Sequence, residues 1–289
     1  LKENQIKNYR IDLKNENELV KIKFKPDIII DCAAEPAVEV SSRSPNSVIQ
    51  NNFITTLNLL NLSRKYKSKI IFLSSSRVYP IHKSYEFFKR KKKLFSEKTS
   101  TKGPKTIYGF SKLASEELIK EFSYAYNVNF IINRLGLTSG PWQFGKVEQG
   151  LVSLWLWKHL NKKKLSYIGF NGTGSQIRDV LDIDDLCSII YLQIKKIDKI
   201  FDETFCIGGG KMSSFNLKNL TIMCQKITSN KIKIKKIKKT SIYDIPYFIF
   251  SYHKVYKYYK YRNTNDLNKT LTKTYNWMNL NKKILKKYF

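Results

Sequence analysis

Apolar runs and helical stripes alternate along the first half of this chain. PDIIIDCAA is a short continuous apolar run bounded by Pro26 and small residues, the pattern of a buried parallel strand. Pro45 then stands near a helix start, and Val48, Ile49, Phe53, Leu57, Leu60 and Leu62 form a broad apolar stripe reaching Tyr66. KIIFLSSS predicts a second strand, and NVNFIINRLG, after a helix beginning near Tyr108, a third. Between them the segment from His82 to Gly103, dense in Lys and Phe, reads as an exposed loop or excursion. The alternation predicts an α/β fold, a doubly wound parallel sheet with helices on both faces. Such sheets bind ligands beyond their strand C-termini, where Ala33, Ala34, Ser74, Ser75, Arg134 and Gly136 are expected to converge. From Gly140 the pattern loosens into a Gly/Trp-rich loop, the helix EQGLVSLWLWKHL, an NGTG turn and IRDVLDIDDLCSIIYLQI. Residues 1–139 are therefore assigned to the sheet domain and 140–289 mainly to a smaller C-terminal lobe, with segments near 175–210 returning to the sheet. The tail from Lys231 carries no readable period.

Composition narrows the function classes. A chain of 289 residues can bury a large core. Its net charge of +30 would ordinarily point to nucleic acid or an anionic membrane. Only eight of the 53 basic residues are arginine, however, and phosphate and base recognition lean on arginine's planar fork. A solvated lysine surface with no nucleic-acid partner is the expectation. No apolar run reaches transmembrane length and no signal-peptide pattern opens the chain, so neither a membrane partner nor export is expected. Cys32, Cys187, Cys206 and Cys224 are widely spaced in apolar stretches and read as buried free thiols of a reducing, cytoplasmic compartment. His82, His159 and His253 lack metal-ligand spacing, which argues against a metal site.

The chemistry centres on IYGFSKLASEELIKEF, where Tyr108 and Lys112 stand four residues apart and share one helix face. A free phenol is a poor base at neutral pH, but a nearby cation stabilises the phenolate. A downward shift of about three units corresponds to roughly 4 kcal/mol. The spacing recurs at Tyr79/Lys83, Tyr85/Lys89, Tyr191/Lys195 and Tyr256/Lys260. Context separates Tyr108 from these: a strand ending in serines precedes its helix and an apolar strand follows. Ser75, at the end of the serine-bearing strand, is the candidate hydroxyl for holding a substrate oxygen.

The order DCAAEP, Asn52 with Thr55 and Thr56, LSSSRVY, Tyr108 with Lys112, RLGLTSGP, GSQIRDVLDIDDL and FCIGGG resembles the extended short-chain dehydrogenase/reductases, the nucleotide-sugar epimerase and dehydratase group. Three segments, AAEPAVEVSSRSP, GPWQFGKVEQG and GTGSQIRDVL, look most like its 2-epimerases of CDP-activated sugars. The resemblance implies a Rossmann-like fold, NAD as cofactor, and epimerisation of a nucleotide-sugar substrate by transient oxidation to a keto-sugar. Tyr108 would be the general base, Lys112 its electrostatic partner and a ligand of the cofactor ribose, and Ser75 the hydroxyl positioning the sugar. Ala33, Ala34 and Asn52 would line the NAD site, and Asp12 would match the adenine-contacting aspartate. Gln149 and Gly150 would belong to the sugar-nucleotide pocket, and Arg178 would meet the diphosphate or nucleotide; a salt bridge from Arg178 to Asp179 or Asp182 is the competing role. Dehydratases of the group place an acidic residue directly after the active-site hydroxyl, whereas Ser76 and Arg77 follow here. Family members open with a strand, G-x-x-G-x-x-G and a helix. This chain starts at Leu1 beyond that point, so an N-terminal truncation lacking the first strand, helix and second strand is expected. Another epimerase, a decarboxylase or reductase of the group, or a non-catalytic remnant stays open, as does a homo-oligomer.

Overall fold

The computed structural model describes residues 6–37, 43–90, 93–146 and 149–289. Their strands in chain order are β1 (Ile28–Asp31), β2 (Lys69–Ser75), β3 (Phe130–Leu135), β4 (Leu137–Ser139), β5 (Leu165–Ile168), β6 (Ile177–Asp182), β7 (Glu203–Ile207), β8 (Ser214–Asn216), β9 (Ile234–Ile237) and β10 (Tyr247–Phe248). β1, β2, β3 and β7 form one parallel sheet in the order β1-β2-β3-β7. Its centre is apolar on both faces: Ile70, Ile71, Phe72, Ile131, Ile132 and Phe205 are fully buried. That accounts for their appearance as continuous runs instead of an alternating pattern. β1 is the outer strand among the described residues, and Ile30 on it is 39% exposed.

Helices cover this sheet as the apolar stripes require. The stripe from Pro45 to Tyr66 is helical throughout, with a π-helical stretch at Gln50–Ile54 between two α segments. Lys67, in the left-handed region at φ 54°, ends it. The helix Ile107–Tyr126 opens on Thr106, whose hydroxyl accepts from the Gly109 amide at 3.0 Å, and closes on left-handed Asn127. Both pack against each other and against the sheet, enclosing Leu60, Ile119 and Val128 with Phe72 and Ile132.

The segment after His82 is a helix, Ile81–Lys89, where a loop was expected. Lysines crowd its outer face and mask the pattern, while Ser84 and Phe87 are buried on the inner one. Ser84 Oγ donates to the Tyr247 carbonyl at 2.6 Å, and Phe95 stacks on Phe248 with ring centroids 4.1 Å apart. The partners of this helix lie some 160 residues downstream, beyond any local pattern.

β6 joins β4 and β10 in parallel and β8 antiparallel, and β5 pairs with β9. The helices Leu151–Leu160, Leu217–Thr228 and Leu267–Leu280 enclose a second core with Leu156, Leu220, Leu271 and Met278 at its centre. The tail is thus folded. Asp185 anchors it, accepting from Tyr261 Oη at 2.6 Å, from the Thr264 amide and hydroxyl at 2.9 and 2.8 Å, and from the Asn265 amide at 3.1 Å.

One buried ion pair ties the catalytic-side elements together. Arg134 on β3 forks onto Glu116 of the helix Ile107–Tyr126, with Nη2 to Oε2 at 2.6 Å and Nε 3.1 Å from both oxygens. Ser74 Oγ donates to the same carboxylate at 2.5 Å, and Arg134 Nη1 donates to Tyr79 Oη at 3.1 Å. Arg134 therefore lies beneath the strand ends and does not line the crevice. Glu116→Gln leaves a buried guanidinium without counter-charge and is expected to lower the unfolding free energy by about 3–5 kcal/mol. Adding Arg134→Met should recover much of that loss, and urea unfolding of the two variants measures both.

Candidate active site

β1, β2 and β3 end at one side of the sheet, and a cleft of about 930 Å³ opens beyond them. That volume suits a small-molecule or nucleotide-sized ligand. Ser75, Tyr108 and Lys112 line it together, with Ala34 from the β1 side and Gly136 from the β3 side.

Local geometry brings the trio together. Ser75 ends β2 and caps the 3-10 turn Ser76–Val78, its Oγ accepting from the Arg77 amide at 3.1 Å. The Ser75 hydroxyl proton is left to donate elsewhere. The helix bearing Tyr108 packs its first turn directly on this 3-10 turn. A Cβ on Gly109 would come within 2.0 Å of the Arg77 carbonyl, so only glycine permits the approach. Tyr108 is 8% exposed at the cleft wall. Burial pushes its phenol up, while the Ser75 hydroxyl and then the Arg77 guanidinium pull it down.

Lys112, one turn further, is 2% exposed. Its Nζ donates to the Leu73 carbonyl at 2.9 Å and the Ala33 carbonyl at 3.4 Å, and sits 4.5 Å from the Phe72 ring centroid. The ammonium thus links the ends of β1 and β2. Burial lowers its pKa, and Asp31 is the first of the nearby anionic groups opposing that. Asp31 is itself raised by burial, and it accepts from Thr56 Oγ1 at 2.9 Å and the Ala33 amide at 3.0 Å.

Gln149, Gly150 and Arg178 also line the cleft. Arg178 makes no salt bridge to Asp179 or Asp182. Its Nη1 and Nη2 donate to the Ile177 and Ile245 carbonyls at 2.7 and 2.6 Å, and burial followed by the charge of Arg77 lowers its pKa to about 9. Asp182 caps the helix Ile183–Lys196 and pairs with Lys273 at 2.5 Å. Val147 and Glu148 of GPWQFGKVEQG, and residues 38–42 of AAEPAVEVSSRSP, lie outside the described residues.

Three expected cofactor residues do not line the cleft: Ala33, whose carbonyl accepts from Lys112 Nζ at 3.4 Å, Asn52 and Asp12. Asn52 is fully buried behind the β1 end, where its Oδ1 accepts from the Glu35 amide at 2.7 Å and its Nδ2 donates to Ser111 Oγ at 2.9 Å. Asp12 is exposed, accepts from the Lys14 amide at 3.0 Å and lines no part of the cleft. Cys32 and Cys187 are exposed, in contrast to the buried thiols expected; only Cys206 and Cys224 are interior. Sequence reading passed over Arg77, Tyr243 and Asp244 as a group. They meet in the cleft, with Arg77 Nη1 donating to the Tyr243 carbonyl at 3.1 Å. Arg77 was notable in the sequence only as a residue that is not acidic.

Among the described residues no cluster of His, Cys, Asp and Glu could hold a metal ion, and no helix is long and apolar enough to cross a membrane.

A parallel sheet with helices packed on it and a cleft beyond its strand C-termini is the arrangement of the doubly wound, nucleotide-binding α/β folds. The chain belongs to the NAD dependent epimerase/dehydratase family, whose model matches residues 1–208. It is 27% identical over 223 residues to the CDP-paratose 2-epimerase of Salmonella typhi, covering 72% of this chain and 66% of that protein. It is 28% identical over 206 residues to a dTDP-glucose 4,6-dehydratase of Neisseria meningitidis, covering 69% and 56%. The chain thus spans just under two thirds, or less, of these curated relatives. An epimerase structure from Methanothermobacter thermautotrophicus superposes with a TM-score of 0.85 at 18% identity, over 99% of this chain and 83% of that one, which establishes the shared fold.

The buried carboxyl of Asp179 gives the cleft region a pH signature. It accepts from the Gly210 and Phe250 amides at 2.9 and 3.2 Å, yet burial raises its pKa from 3.8 to about 6. A raised folded-state pKa means that the folded protein holds this proton more tightly. The corresponding stability is complete below about pH 4 and is lost as pH rises through about 6, up to about 3 kcal/mol in all. Asp179→Asn is expected to flatten the decline between pH 4 and pH 7 in urea unfolding, and an unchanged slope would assign the decline to other groups.

Proposed function

We propose that the protein epimerises a nucleotide-activated sugar with NAD as cofactor, most closely in the manner of a 2-epimerase acting on a CDP-sugar. The observation that carries this reading is the meeting of Ser75, Tyr108 and Lys112 beside the strand ends, in a cleft that Gln149, Gly150 and Arg178 also line. Membership of the family and the similarity to a CDP-paratose 2-epimerase support it.

The residues fit the nicotinamide-ribose half of the cofactor. Ala34 leaves room beside the sheet, and Lys112 offers its ammonium at the cleft floor. The described residues beside the end of β1 include no glycine-rich turn for the pyrophosphate. NAD, when bound, would supply the hydride acceptor and donor for the sugar carbinol carbon. Tyr108 removes the hydroxyl proton as the keto-sugar forms and gives it back on reduction. Ser75, with one lone pair engaged by the Arg77 amide, keeps its proton and donates a hydrogen bond to the reacting oxygen. Lys112 keeps the β1 and β2 ends in register beneath the phenol. Arg178 meets the diphosphate, where a guanidinium can bind two oxygens at once.

Dehydratases are equally similar, but elimination of water needs an acid beside the active-site hydroxyl, and Ser76 and Arg77 occupy those positions. Epimerisation at another carbon is the alternative within the same chemistry. Incubating the protein expressed from its complete coding sequence with NAD and CDP-, UDP- and GDP-sugars, with product stereochemistry resolved, decides between them. A dehydrated product or no conversion would refute the proposal.

Tyr108→Phe is expected to abolish turnover while leaving sugar-nucleotide binding within a few-fold, and retained activity would remove Tyr108 as the base. Arg178→Ala should weaken substrate binding by tenfold or more in calorimetry, about 1.4 kcal/mol or above. Unchanged affinity would confine Arg178 to its carbonyl contacts.

A further inference from the structure

Resting on the assignment of Tyr108 as the proton-transferring group, we infer that Arg77 is a positioning residue for that transfer: set by the turn after β2 against the first turn of the tyrosine's helix, it holds a fixed positive charge toward the phenol. Nothing in the family assignment gives Arg77 this role.

The placement is tightly constrained. Ser75 caps the turn that carries Arg77, and the Arg77 carbonyl abuts Gly109, the residue after Tyr108. Arg77 is half-buried and lines the same cleft as the phenol, with Nη1 fixed on the Tyr243 carbonyl at 3.1 Å. The Lys112 ammonium, by contrast, is committed to the Leu73 and Ala33 carbonyls on the sheet side.

The surrounding charges come from every packed element. Asp244 follows Tyr243, and Arg178 on β6 donates to the Ile245 carbonyl of the same segment. Asp31 and Cys32 lie toward Lys112, and Lys105 borders the small cavity beside Arg77. Burial lowers the Arg77 pKa, opposed first by Asp244 and then by Tyr108. Arg178 draws on Asp244 as well, and after it on Asp179, so Asp244 is divided between two guanidinium groups. That leaves the Arg77 charge only partly answered by the protein and available to a phenolate. A guanidinium also keeps its proton across the range in which a phenol titrates.

Replacing the Tyr108 ring by difluorotyrosine acidifies the phenol and adds a fluorine resonance that reports its ionisation without turnover. In this background Arg77→Gln is expected to raise the midpoint by about one unit, a tenfold drop in the ionisation constant, and Arg77→Lys by less than half of that. An unmoved midpoint in Arg77→Gln, or equal shifts in the two variants, would overturn the inference. Turnover is read separately. Where it is present, the acidic limb of kcat/KM should move to higher pH in Arg77→Gln by the same amount. Wild-type protein that turns over no nucleotide sugar would instead refute the Tyr108 assignment, whatever the fluorine resonance shows.

Discussion

The buried pairing of Arg134 with Glu116 is the constraint on which the active-site geometry depends. Four elements meet at it: β2 through Ser74, β3 through Arg134, the turn after β2 through Tyr79, and the tyrosine's helix through Glu116. Charges removed from water are tolerated only when their hydrogen-bonding capacity is filled, and here the carboxylate receives the guanidinium fork and a serine hydroxyl. Glu116 lies two turns along the helix from Tyr108, so its position fixes how far that helix can slide over the strand ends. Ser75, adjacent to Ser74, is placed by the same contacts. The distance between hydroxyl and phenol is thus decided in the core, below the cleft.

Glycine completes what the ion pair begins. Gly109 lets the helix approach the turn of Ser76–Val78 more closely than any side chain would allow. Thr106 supplies the helix start, and the Arg77 amide holds Ser75 in one orientation. The trio is therefore preorganised by backbone contacts and a buried network, before any ligand contributes.

Much of this arrangement was legible in the residues. Lys69–Ser75 and Phe130–Leu135 are strands buried on both faces, and uninterrupted Ile, Phe and Leu announce that directly, while Ile28–Asp31 carries the same kind of run with Ile30 left exposed. The grouping of Ser75, Tyr108, Lys112, Gln149, Gly150 and Arg178 in one cleft followed from the family pattern. Partners distant in sequence were not legible. Phe87 and Phe95 belong to a core completed by Phe248 and Phe250, so the helix at Ile81–Lys89 looked like a charged loop. Arg134 looked like a crevice residue because its strand position is right, and only the opposing Glu116 shows where its charge goes. Asn52, polar and near a strand end, resembles a ligand-binding residue, but its amide is occupied by Glu35 and Ser111. The tail became interpretable only through Asp185, which gathers Tyr261, Thr264 and Asn265 onto a helix nearly 80 residues earlier.

Among the described residues β1 is flanked by β2 alone, and Ile30 on it is 39% exposed. A strand edge of this kind can take up an extended segment, whether of the same chain or of another molecule. A net charge of +30 opposes such encounters by mutual repulsion. That repulsion reaches about 10 Å at 0.1 M salt and shrinks as ionic strength rises. Repulsion between molecules therefore weakens with added salt, and the surplus of lysine acts as a solubilising coat.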